Sequence, residues 1–65
     1  PVFTPPAAPQ LDFTSAQSYV TNEDPEMVQS QTSLINSQLS EYQAKMGEAQ
    51  AKFNEQQQIY QKRLS

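Results

Sequence analysis

Residues 35–53 read I-N-S-Q-L-S-E-Y-Q-A-K-M-G-E-A-Q-A-K-F. Ile35, Leu39, Tyr42, Met46, Ala49 and Phe53 follow one another at spacings of 4, 3, 4, 3 and 4. A mean spacing of ~3.5 residues keeps all six on one stripe of a helix, at the a and d positions of a heptad. With Ile35 at d, the a row is Thr32, Leu39, Met46, Phe53 and Tyr60. The d row is Val28, Ile35, Tyr42, Ala49, Gln56 and Arg63. The same stretch contains a direct repeat. E-Y-Q-A-K-M-G starts at Glu41, E-A-Q-A-K-F-N at Glu48, and the blurred copy E-Q-Q-Q-I-Y-Q at Glu55. Glu41–Lys45 and Glu48–Lys52 are i,i+4 pairs in the favourable order, which supports the helix itself. The e positions Asn36, Gln43, Gln50 and Gln57 are uncharged, so charge pairing between g and e cannot choose a partner.

The helix has a clear start. Asn22-Glu23-Asp24-Pro25-Glu26 places a capping carboxylate at Asp24 and a proline at the first helical position, where its missing N–H costs nothing. Glu23, Asp24 and Glu26 lie at the positive end of the helix dipole. The end is different. Y-Q-K-R-L-S stops inside the helical pattern with no Gly or Asn cap, so the parent chain is expected to continue past Ser65. The start at Pro1 fits either removal of an initiator Met or an internal piece of a longer protein.

Residues 1–23 have other physics. Pro1, Pro5, Pro6 and Pro9 fix φ and favour extended or polyproline-II backbone over the first ten residues. No period capable of forming a core is read there. Val2, Phe3, Leu11, Phe13, Tyr19 and Val20 are apolar anchors along the way. Two readings stay open: a disordered tail, or an arm that becomes ordered along a partner's groove. A brief helix or turn around 15–19, capped by Thr14 or Ser15, is compatible with either.

Composition bounds the function. The chain has 65 residues and a net charge of −3, with 35% hydrophobic residues and no Cys, His or Trp. It permits at most one small domain, of a size that is marginal without staples. Without Cys or His there is no disulfide, no thiolate metal site and no imidazole base. Residues 1–40 hold Asp12, Glu23, Asp24 and Glu26 and no base. No basic patch exists to neutralise phosphates, which argues against nucleic acid. No apolar run reaches membrane-span length. Glu41, Glu48 and Glu55 stand ~10 Å apart along the helix axis, too far to work as an acid/base pair. The acidic residues around Asp24 have no glycine-containing calcium-loop spacing, and the serines and threonines lack a base to activate them. We therefore expect no enzyme, no cofactor, no metal and no small-molecule substrate.

The expected fold class is all-α: an extended Pro-rich arm over 1–23, then one long amphipathic heptad helix over 24–65 that forms a coiled coil or bundle with other chains. A lone helix of this kind is marginal in water, because its stability comes from packing its apolar stripe. Folding back as a hairpin needs a turn, and the only glycine, Gly47, sits at an outer b position that the heptad phase passes unbroken. It is either a tolerated defect, a flex point or a place where another chain comes close. The expected interface is Val28, Ile35, Leu39, Tyr42, Met46, Ala49, Phe53 and Tyr60. The expected partner is the chain itself, with a trimer favoured because Phe53, Tyr60 and Tyr42 are bulky for a dimer seam. The docking arm is Val2, Phe3, Leu11, Phe13, Tyr19 and Val20, and the helix cap is Asp24 with Pro25.

The E-Y-Q-A-K-M and E-A-Q-A-K-F heptads, after a Pro-rich start and the T-N-E-D-P-E-M opening, resemble coiled-coil virion proteins of tailed bacteriophages over roughly residues 21–61. The resemblance implies a structural virion component (fibre, neck or tail, or head-associated) that docks by its arm and bundles by its helix. It carries over no catalytic or ligand residues. The alternatives are an adaptor segment that folds on a heterologous protein, and a helix lying on a lipid surface.

Overall fold

In a computed structural model, residues 1–64 are described; Ser65, the last residue of the expected helix, lies outside them. Two helices account for the ordered backbone: α1, Phe13–Thr21, and α2, Pro25–Leu64. Residues 1–12 have neither helix nor strand. The forty residues of α2 correspond to ~60 Å at 1.5 Å each. The long axis of the molecule is 64 Å, against 14 and 7 Å across it. The protein is a rod whose length is set by one helix.

α2 begins where the sequence places its start. Asp24 Oδ1 accepts the amide of Met27 at 3.2 Å, and the Asp24 carbonyl accepts the amide of Val28 at 3.0 Å. Pro25 is the first helical residue.

The arm is shorter than expected and the segment between is helical. α1 is capped by Asp12, not by Thr14 or Ser15. The Asp12 carboxylate accepts from the Ser15 amide at 2.9 Å and from the Ser15 hydroxyl at 2.6 Å. Ser15 stands three residues past the cap, which is where a capping side chain finds its amide.

A hairpin forms without glycine. The amide of Glu23 donates to the Val20 carbonyl at 3.1 Å, and that of Asp24 donates to Tyr19 at 2.9 Å. These are the two bonds of a Schellman motif, with Glu23 in its left-handed position at φ 53°. Glycine is the usual occupant there, so a search for a turn by its glycine passes over T-N-E-D-P. Asp24 then serves both helices: it closes the C-terminus of α1 and caps the N-terminus of α2.

With the chain reversed, α1 lies on the first turns of α2, and residues 1–12 run back antiparallel along the rest. Ile35 is the one buried hydrophobic residue among those described, at 7% exposure. A single buried side chain is a small core even for a chain this short.

Candidate interaction surface

The d row of α2 is the side its own chain covers. Val28, Tyr42 and Ala49 are half-buried and Ile35 is buried. Met46 and Phe53, from the a row, are half-buried as well. Gln31 and Gln38, at g, share that cover. The other edge of the stripe is open. Leu39 is 39% and Tyr60 50% exposed. Beyond the heptad stripe, Met27 and Leu34 are exposed at c positions, and Ile59 and Leu64 are exposed near the end of the helix. The a/d register did not select these four.

Contacts along the rod fix the antiparallel order. Tyr19 and Val20 share an open, largely apolar depression with Pro25 and Val28 at the hairpin end. Gln31 Nε2 donates to the Asp12 carbonyl at 3.2 Å. Ala7 and Pro9 border Gln38 and Tyr42. The Phe3 and Phe53 rings meet edge to face, with centroids 5.7 Å apart and planes at 81°. Pro1 lines an open depression with Gln56, Ile59 and Tyr60.

A proline-rich strap suits this task. Its residues rise ~3.1 Å each, about twice the rise along a helix. The step from Phe3 to Asp12 therefore covers about 28 Å, against about 33 Å for Gln31 to Phe53. The Phe and Gln side chains bridge the remainder. Pro5, Pro6 and Pro9 have no amide hydrogen to leave unpaired.

Within the strap Pro6, Pro9 and Leu11 are half-buried, while Pro5, Ala7, Ala8, Gln10 and Asp12 are exposed.

The six expected anchors divide. Leu11 and Tyr19 are half-buried, and Phe3 engages Phe53. Val2, Phe13 and Val20 are 84%, 61% and 58% exposed.

Charge on the rod is local and solvated. Lys45 Nζ lies 2.9 Å from Glu41 Oε1, with both side chains more than half exposed. The hydrogen bond from Lys45, and then its charge, hold the Glu41 carboxyl below the usual range. The same bond raises Lys45, with a smaller contribution from Glu48. The corresponding Glu48–Lys52 pair is not closed. Two hydrogen bonds from Ser15, its hydroxyl first and then its amide, lower Asp12.

Gly47 is helical, and a methyl group placed on it meets nothing within 4 Å in its own chain. Among the described residues no group of three acidic side chains converges to hold a metal ion. Among the described residues no helix is long and apolar enough to cross a membrane. The chain matches no protein-family model, curated protein or solved structure.

Proposed function

We propose that this protein is a non-enzymatic structural subunit that self-associates through the heptad face of α2 and takes its place in a larger assembly. The observation that carries the reading is the state of the seam. Of the eight residues that the heptads assign to an interface, only Ile35 is buried within the chain. Leu39 and Tyr60 remain 39% and 50% exposed although the chain folds back along the helix. Burying a Leu, Ile, Met or Phe side chain fully is worth ~1.5–3 kcal/mol, so closing this seam between copies supplies what a single chain lacks. The absence of His and Cys from the sequence supports a role without acid–base, thiol or metal chemistry. The likeness of the heptads to phage coiled-coil proteins makes a virion the setting we favour.

Sedimentation equilibrium of the full chain, with circular dichroism at the same concentrations, tests the reading. The expected result is a defined helical oligomer, a trimer in the first instance. A monomer across the whole concentration range rejects self-association. Helicity that then rises only with a protein partner, or only with liposomes, transfers the seam to an adaptor or a lipid-surface helix.

A further inference from the structure

The strap and a second helix need the same surface. Val2 and Thr4 border Ala49, Phe53 and Gln56, and Pro1 borders Gln56 and Tyr60. Phe3 puts its ring against Phe53. All four helix residues are a or d positions of the seam. Helices that interdigitate across such a seam bring their axes to ~8–10 Å, a gap that their own side chains fill. No room is left there for an intervening strand of backbone.

The strap is also lightly held. Among the described residues, no hydrogen bond joins residues 1–11 to α2; the first tie is the Asp12 carbonyl to Gln31. Val2 is 84% and Phe3 37% exposed in place. The specific contact is one ring pair.

We infer that residues 1–9 are a displaceable cover on the association seam, occupying within one chain the seat that α2 of a second copy takes between chains. The inference rests on the self-association proposed above and adds its control. Only the fraction of chains with the strap released is competent to associate, so the apparent affinity is weakened by that fraction. Loosening the strap strengthens assembly, although it removes an apolar side chain.

Sedimentation equilibrium of full-length wild type, Phe3→Ala and Gln10→Ala tests it, with nuclear Overhauser contacts between the Phe3 and Phe53 rings followed from dilute to concentrated protein. Phe3→Ala is expected to associate at a concentration roughly two- to tenfold lower, the range that one aromatic pair supports. Gln10→Ala, at an exposed position outside residues 1–9, is expected to match wild type. The ring contacts are expected in the dilute monomer and lost in the oligomer. A Phe3→Ala midpoint that is unchanged or higher, beside a wild type that associates, overturns the cover and leaves self-association standing. Ring contacts that persist in the oligomer do the same. Wild type and Phe3→Ala both monomeric throughout overturn self-association and this inference together.

Discussion

Gln31 Nε2 donates to the backbone carbonyl of Asp12 at 3.2 Å, joining residues 19 positions apart. Asp12 thereby links three parts of the rod. Its carboxylate caps α1, its carbonyl holds α2, and the strap begins on its N-terminal side. Gln31→Leu removes the tie, at a cost of about 0.5–1 kcal/mol for one hydrogen bond. The expected outcome is faster amide exchange in α1, with α2 unaffected. Equal loss of protection in both helices would show that the bond supports more than the hairpin.

Acid should weaken α1. The folded-state pKa of Asp12 lies below its ordinary value of 3.8 because Ser15 donates twice to the carboxylate. A depressed carboxyl stabilises the fold above its unfolded value, and that contribution disappears as pH falls through the folded one. Helicity of residues 13–21, followed by NMR chemical shifts, is therefore expected to hold at neutral pH and fall on titration below 3.8. Asp12→Asn keeps an acceptor at the cap and should remove this acid step. An identical acid step in Asp12→Asn would assign it to another group.

Glu23 is held at φ 53°, a backbone region that L-residues other than Asn and Asp rarely enter. Glu23→Gly relieves the Cβ clash, and the extra freedom of an unfolded glycine offsets part of the gain. A net stabilisation of about 0.5–1 kcal/mol is expected from urea denaturation. A destabilised variant would mean that the Glu23 side chain supports the turn by more than its backbone.

Gly47 occupies the interior of α2 with open space where a methyl would go. Gly47→Ala should stabilise the helix by about 1 kcal/mol, visible as increased ellipticity and a higher urea midpoint. If association weakens while the helix strengthens, another chain approaches closely at that point in the assembly.

Leu39 is 39% exposed, and Met46 is half-buried on the same a row. Replacing both with Asp sets charges in the seam without touching Ile35. The double variant is expected to remain monomeric at every concentration where wild type associates. An unchanged oligomer would place the interface elsewhere, with Met27 and Leu34 the next surface to alter. By contrast, Ile35→Ala strikes the buried residue itself and should cost about 2 kcal/mol or more, loosening the hairpin whether or not the chain is associated.

Much of α2 was legible from local rules. Asp24, Pro25 and the dipole-matched acids mark its start, and the 3-4 spacing from Val28 to Tyr60 marks its apolar stripe. Both signals work within one or two turns of helix and need no knowledge of what lies opposite. α1 was less legible. Its cap is Asp12, ahead of the Thr14 or Ser15 expected to cap a brief helix around 15–19, and its nine residues are too few for a strong period. The hairpin carries no glycine signal, because its left-handed residue is Glu23.

The sequence by itself determined that this chain is helical, where its long helix begins, and which stripe of that helix seeks cover. Tertiary structure alone decided what covers the stripe. An apolar row at heptad spacing is satisfied equally by a second helix or by an extended strap of matching reach. The choice depends on whether Glu23 reverses the chain and brings Phe3 to Phe53, fifty residues away. No local period carries a contact between an extended strap and an α-helix, because the two meet only in space.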